Sequence, residues 1–175
     1  MTGRPEESDE ALWNGLVASH ASFITAGREF ARWRSEVLQR AENPVRLVRD
    51  GLAKPTERSV AIEIARVLPK EQLKQLFPEL VSLASFSHGL IGGARDLILS
   101  LPRDWTLTNI ESVAEPILAQ GGYEEFQRLI ELYVALSPVL ARRLAQRAIE
   151  HPDIDVVEVG RDCLDRISAV DAGSG

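Results

Sequence analysis

Prolines divide this chain into segments whose apolar residues recur at the spacing of an α-helix. Helical spacing runs through most of residues 22–168, whereas the period-two alternation of a half-buried strand does not occur. No Asn-Gly or Asp-Gly turn joins two apolar runs, so β-hairpins are not indicated. Because proline lacks a backbone N–H, it fits the first turn of a helix and ends the preceding one. The sequence therefore predicts an all-α fold, with boundaries between helices at Pro69, Pro102, Pro138 and Pro152.

The same pattern sets the expected helices and the expected domain. Asn43 and Pro44 are a typical cap and first residue of a short helix, which Pro55 follows. Pro78 and Pro116 fall inside two expected helices and should kink them. Residues 1–7 are expected to be disordered, residues 8–169 to form one domain, and residues 170–175 to form a flexible tail. The expected helices cover about 22–41, 44–52, 57–68, 70–85, 87–100, 106–119, 122–136, 138–150 and 154–168.

A unit of about 30–36 residues recurs along the chain. Each unit begins with an apolar triplet spaced by four residues, and a proline break and a second apolar helix follow each of the first three triplets. Two antiparallel helices cannot bury their shared apolar face alone, whereas stacked hairpins can, so the recurrence favours stacking over an irregular bundle. The triplets are Val60/Ile64/Leu68, Leu90/Ala94/Ile98, Phe126/Ile130/Val134 and Val156/Gly160/Leu164, and the second helices carry Leu73/Leu76/Leu80, Leu107/Ile110/Ala114 and Leu140/Leu144/Ala148.

The last triplet lies in a segment that resembles the first helix of a HEAT repeat. Such helices begin with an acidic pair, then valine, a small residue four positions on, leucine four after that, and a closing aliphatic residue. The arginine common after the valine is replaced here by Val157. The resemblance covers about 57–168 and implies a right-handed α-solenoid of HEAT-like hairpins, with the N-terminal helices as a divergent cap. The matching residues are Asp153, Asp155, Val156, Gly160, Leu164 and Ile167.

The aspartates of this segment fit helix capping better than metal binding. An acid at a helix start accepts hydrogen bonds from unpaired N–H groups and lies at the positive end of the helix dipole. Asp153 or Asp155 is therefore expected to cap the helix, and Asp162 and Asp165 are expected to face water. An EF-hand would place oxygen ligands where this chain has valines, so no metal site is predicted.

Composition and charge limit the classes of function. The net charge of −6 argues against general binding of nucleic acid or anionic membranes, and no apolar run reaches the ~18 residues that span a bilayer. The acidic first residues do not resemble a secretory signal, and one cysteine cannot form an internal disulfide. We therefore expect a cytoplasmic protein with no membrane segment.

No constellation of residues indicates catalysis or a cofactor. The three histidines are far apart, and Cys163 has no base that the sequence reveals, so it is expected to be a small core residue. Gly89, Gly92 and Gly93 lack the Gly-Lys-Ser/Thr ending of a phosphate loop and are expected to let helices approach closely. The sequence predicts no catalytic residue, metal or cofactor, and hence a protein that is not an enzyme.

Arginines are the candidate partner-binding residues. Arg142, Arg143 and Arg147 lie opposite the apolar face of their helix, and Arg28 and Arg32 lie away from the apolar face of theirs. Arginine pairs with carboxylates through two hydrogen bonds and is frequent at binding hot spots. The alternative is a solvated face whose arginines pair within the chain, with Glu150 or with the next repeat.

These observations favour a non-enzymatic module for protein–protein interaction or scaffolding. The expected partner is another protein of unknown identity; nucleic acid is disfavoured, and the oligomeric state stays open. Two alternatives remain. One is an inhibitor or immunity-type protein that masks a basic partner with acidic patches, and the other is a nucleic-acid-processing enzyme on a HEAT-like frame.

Overall fold

A computed structural model describes residues 8–173 of the chain, with side chains through residue 169. Residues 8–173 contain ten α-helices and no strand, which confirms the all-α prediction for that part. The expected disorder over 1–7 lies outside the described residues, as do 174–175 of the expected tail, into which the last helix continues. The helices are α1 Asp9–Arg40, α2 Pro44–Ala53, α3 Arg58–Ala65, α4 Lys70–Lys74, α5 Phe77–Ala84, α6 Ile91–Leu99, α7 Arg103–Leu118, α8 Tyr123–Leu136, α9 Pro138–Ala148 and α10 Ile154–Gly173.

Contacts divide the chain into two compact units, Met1–Pro44 and Val45–Gly175. The first unit is built on α1, which begins at Asp9 rather than near residue 22 as the sequence predicted. Ser8 caps this helix, since its Oγ accepts a hydrogen bond from the Ala11 N–H at 3.3 Å. The single domain predicted over residues 8–169 stays a prediction, as does the capping role of the N-terminal helices.

The second unit is organised as helices that each contact their near neighbours in the chain. α6 contacts α3, α8 contacts α6, and α10 contacts α8, while α5 packs on α6 and α7, and α9 packs on α8 and α10. Their inward faces form an apolar core. The bulkiest fully buried side chains of this core are Tyr133, Phe77, Phe126, Leu73, Leu76 and Leu80.

Pro78 ends one helix and begins another instead of kinking a single helix over 70–85. α4 ends at Lys74, and α5 begins at Phe77 with Pro78 in its first turn. The proline ring cannot donate the next helical hydrogen bond and crowds the preceding turn, so the chain closes α4 and restarts. Pro116, by contrast, lies inside an α7 that continues to Leu118.

The apolar triplets are mostly buried, but two of their members are exposed. Val60 and Val134 face outward, although Ile64, Ala94, Ile130 and most other members lie in the core. A step of four residues advances about 40° beyond a full helical turn, so the ends of a triplet differ by about 80°. The two ends of a triplet therefore lie near opposite edges of the apolar face, and one end can reach solvent while the rest stays buried.

Glycine permits close helix contact at two of the expected positions in α6 and α10. A Cβ on Gly160 would lie 2.7 Å from the Ala145 carbonyl oxygen and 2.9 Å from the Ala148 Cβ. A Cβ on Gly93 would lie 3.0 Å from the Ile62 Cγ2, whereas at Gly89 and Gly92 no described atom comes within 4 Å. The prediction that these glycines let helices approach closely is therefore confirmed for Gly93 and is wrong for Gly89 and Gly92.

The start of α10 confirms the capping interpretation of its acidic residues. Asp153 Oδ1 accepts a hydrogen bond from the Asp155 N–H at 3.0 Å, so Asp153 is the cap. His151 orders the preceding turn, because its Nδ1 accepts from the Asp153 N–H at 3.1 Å and its ring lies 5.2 Å from that of Phe126. Asp162 and Asp165 are exposed, as predicted.

Candidate interaction surfaces

Two of the predicted partner-binding arginines on α9 form ion pairs with α7. Arg143 Nη2 lies 2.8 Å from Glu111 Oε2, and Arg147 Nη2 lies 3.0 Å from Glu115 Oε1, with a second contact from Arg147 Nη1. The arginines and the glutamates are each spaced by four residues, so the two pairs stack as successive rungs between the helices. The partners lie on α7, two helices earlier in the chain, rather than at Glu150 or on the next repeat.

The arginine row keeps partial access to solvent despite these pairs. The side chains of Arg143 and Arg147 are 56% and 41% exposed. Arg142 is also exposed on α9. Arg28 and Arg32 belong to the other unit, on α1, where the Arg32 guanidinium lies 4.8 Å from the centre of the Trp33 ring. Partner binding by these five arginines stays a prediction.

The Arg147–Glu115 pair shifts the titration of both groups. The hydrogen bond from Arg147 lowers the pKa of the Glu115 carboxyl, and the same bond raises the pKa of the Arg147 guanidinium. The two shifts agree in sign, since each group stabilises the charged form of the other. The Tyr133 hydroxyl nearby has a raised pKa, chiefly because it is buried, with the Glu111 and Glu115 charges adding to the shift.

Replacing Arg147 with alanine should raise the pKa of Glu115 toward the ordinary value of about 4.3. A carboxyl with a lowered folded-state pKa contributes stability above its unfolded pKa, and this contribution is lost as the pH falls through the folded pKa. Carbon-detected NMR titration of the Glu115 carboxyl from neutral to acidic pH measures the shift. Arg143→Ala is the matched control and should leave the titration of Glu115 nearly unchanged, because Arg143 pairs with Glu111 instead. An unchanged Glu115 titration in Arg147→Ala would contradict the pairing.

A groove of about 450 Å³ lies between α8 and α10, beside the start of α9. Its floor and walls are mainly apolar, and three polar side chains stand among them. Val134, predicted as a core residue, is 53% exposed because it lines this groove. Sequence reasoning missed the groove, because Val134 has the same spacing as the core residues and nothing in the sequence marks it as exposed. The lining residues are Gln127, Ile130, Glu131, Val134, Pro138, Val159, Cys163, Arg166 and Ile167.

The two charged side chains that line the groove, Glu131 and Arg166, differ in their surroundings. Arg95 and Arg128 each donate to the Glu131 carboxylate at 2.8 Å. Burial acts to raise the pKa of Glu131, but the hydrogen bonds from the two arginines outweigh it and lower the pKa. Arg166, on α10, is exposed and donates through Nε to the Asp162 carbonyl oxygen at 3.0 Å. Because Glu131 is already paired with two arginines, Arg166 is the charged lining residue that favours an acidic ligand.

Cys163 contributes a thiol to the groove floor. It is buried, as predicted, and burial raises the pKa of the thiol. A protonated thiol is a poor nucleophile, so the residue acts as part of the apolar wall.

Within residues 8–169, His, Cys, Asp and Glu side chains form no group of three that could hold a metal ion. No described helix combines the length and the apolar character that crossing a bilayer requires.

No protein-family model matches this chain, and comparison with curated proteins and with solved structures finds no similar one. The resemblance to HEAT repeats therefore depends on the sequence pattern over 57–168. Function has to be argued from the surfaces of the chain itself.

Proposed function

We propose that the chain is a non-enzymatic protein-binding module whose second unit is a right-handed α-solenoid of HEAT-like hairpins. Two observations support stacked hairpins. α3, α6, α8 and α10 contact one another in succession, and each hairpin packs on the next in chain order. Gly160 lies against α9 at a distance that leaves no room for a side chain, as close stacking requires.

The groove between α8 and α10 is the observation that carries the proposal. An apolar concavity with a few charged groups at its margin is the usual form of a recognition site. Its position between two contacting helices suits a third helix, whose apolar face would enter through residues at positions i, i+3, i+4 and i+7. The occupant we propose is an acidic amphipathic helix of another protein.

The charge of the groove sets the chemistry of this occupant. Glu131 is already satisfied by Arg95 and Arg128, so it offers little to a ligand. Arg166 uses Nε within its own helix and keeps its Nη donors for a carboxylate at the groove margin. Apolar anchors in the groove and an acid beside Arg166 define the expected motif.

The arginine row fits nucleic acid less well. Glu111 and Glu115 neutralise Arg143 and Arg147, and a phosphate backbone would have to displace both carboxylates. Affinity for a duplex comes mainly from unpaired cations that release counterions. Because none of these arginines lines the groove, replacing Arg142, Arg143 and Arg147 with alanine should leave the affinity of the groove for an amphipathic helix unchanged.

Selection from a phage-displayed library of helix-forming peptides tests the groove. Peptides enriched on the native chain should carry apolar residues at helical spacing and a net negative charge. Val134→Lys should weaken their binding about tenfold or more, because the lysine places a charge in the apolar wall. Val139→Lys is the matched control, since Val139 is exposed on α9 but does not line the groove.

Fluorescence polarisation of the enriched peptides gives the dissociation constants. Arg166→Gln should weaken acidic peptides and reduce the salt dependence of their binding. The proposal would be contradicted if no peptide is enriched on the native chain relative to the Val134→Lys chain. Equal affinity of the enriched peptides for the Val134→Lys and Val139→Lys chains would also contradict it.

A further inference from the structure

The helix α1 carries a long apolar stripe on an unburied surface. Phe23 is 72% exposed. The whole of α1 is described, and none of its residues is buried. The stripe follows a strict four-three spacing over nearly four heptads, a pattern typical of coiled coils. Its positions are Leu12, Leu16, Ser19, Phe23, Ala26, Phe30, Trp33 and Val37.

A helix of this composition needs a partner along its stripe. α1 contains Gly15 and Gly27. Each glycine lowers the equilibrium constant for helix formation about fivefold relative to alanine. Helices gain most of their stability from packing of an amphipathic face rather than from propensity. The aromatic members of the stripe are the residues that gain most from such packing.

The charges of α1 are separated between its two halves. Residues 9–24 contain two acids, Asp9 and Glu10, and no Lys or Arg. Residues 25–40 contain four arginines against Glu29 and Glu36, a net charge of +2 that balances the −2 of the first half. Two copies aligned in opposite directions would bring the acidic half of each against the basic half of the other.

We propose that α1 pairs with α1 of a second copy of this chain as an antiparallel two-stranded coiled coil. In the register that places Asp9 opposite Arg40 of the second copy, the stripe positions also face one another. Arg40 binds Glu36 at 2.9 Å on an exposed surface, so it has donors left for Asp9. The charges at both ends of the helix are then satisfied by the second copy.

The sizes of the stripe residues fit this register. Small residues face large ones at the centre, where Phe23 is opposite Ala26 and Ser19 is opposite Phe30. Leu16 faces Trp33 and Leu12 faces Val37 in the outer layers. Large residues facing small ones fill the layers evenly, as dense packing requires.

A parallel pair would pack less well. Its layers would alternate between two facing phenylalanines at position 23 and two facing alanines at position 26, which combines crowding with voids. The acidic N-terminal halves of the two copies would lie side by side, and so would the basic C-terminal halves. The single attractive feature, a bridge from Glu29 to Arg34 between chains, would be exposed, and exposed bridges contribute little.

Sedimentation equilibrium of the full chain tests the pairing. The native chain should show twice the 19.3 kDa mass of one copy. The Phe23→Glu/Phe30→Glu chain should sediment at the mass of one copy, because charges in the paired stripe weaken association by on the order of 100-fold or more. Ala21→Glu/Ser35→Glu is the matched control on the opposite face of α1 and should stay paired.

Spin labels test the direction of the pair. In a Cys163→Ala background, labels at Asn14→Cys should lie about 32 Å apart along the axis in the antiparallel register. In a parallel pair the two labels would lie at the same position along the axis, so the distance between them would be short. A short distance, a native chain at the mass of one copy, or a pair that survives Phe23→Glu/Phe30→Glu would each overturn the proposal. Peptide binding at the α8–α10 groove is a separate measurement that none of these outcomes affects.

Discussion

Replacing Phe126 with alanine should lower the free energy of unfolding by about 3–5 kcal/mol. The ring is 1% exposed, in the first turn of α8, and lies 5.2 Å from the ring of His151 before α10. Alanine removes the apolar surface that the ring buries and leaves a cavity that the neighbouring helices can close only in part. The contact with His151 also holds the turn in which Asp153 caps α10.

Urea unfolding of the full chain, followed by circular dichroism at 222 nm, measures this loss. Phe126→Leu keeps most of the volume and should cost less than about 1.5 kcal/mol. Val139→Ala, at an exposed position, should change the free energy of unfolding by less than about 0.5 kcal/mol. A loss in Phe126→Ala no larger than that in Val139→Ala would show that the ring does not lie in the core.

Replacing Gly160 with alanine should destabilise the chain by about 1–3 kcal/mol, although alanine is the better helix former. The added Cβ would lie 2.7 Å from the Ala145 carbonyl oxygen, which is backbone and cannot rotate away. The Ala148 Cβ and the Ile149 side chain are also within 3.0 Å. α10 would have to move away from α9, which loosens the packing of both helices.

Gly92→Ala provides a control of opposite sign. Gly92 lies exposed in α6, and no described atom would come within 4 Å of a Cβ placed there. Alanine at this position should stabilise the chain by about 0.4–1 kcal/mol, because it restricts the unfolded chain without a clash. Thermal and urea unfolding of the two variants give the signs. Stabilisation by Gly160→Ala would contradict the close contact of α9 and α10.

Helix positions in the second unit followed from sequence because local signals agree with one another. Pro138 and Asp153 each mark the start of a helix, as Pro44 does for α2 at the boundary between the two units. The early start of α1 was missed, because Gly15 lowers the helix propensity there and Ser19 places a polar residue in the apolar stripe. The division between α4 and α5 was missed because apolar spacing continues across the break while the backbone does not.

The surfaces were less accessible to sequence reasoning because their residues come from separate segments. Arg143 and Arg147 could be recognised as a row, but Glu111 and Glu115 lie 32 residues earlier, and only the folded structure brings the two sets of side chains together. The groove needs α8, α9 and α10 together, and its valine shares the spacing of core residues. Periodicity identifies an apolar face, but it does not identify what covers that face.

The neighbour-to-neighbour packing of the second unit also bears on how the chain acquires its structure. Helix pairs in extensive contact there have at most two helices between them in the chain. Small loops therefore close first, at little entropic cost, and such low contact order is characteristic of chains that fold in microseconds to milliseconds. In the proposed solenoid, assembly can start at any hairpin and extend in both directions. Fraying of α10 then need not open the hairpins near α3, and amide hydrogen exchange should be graded from the ends inward.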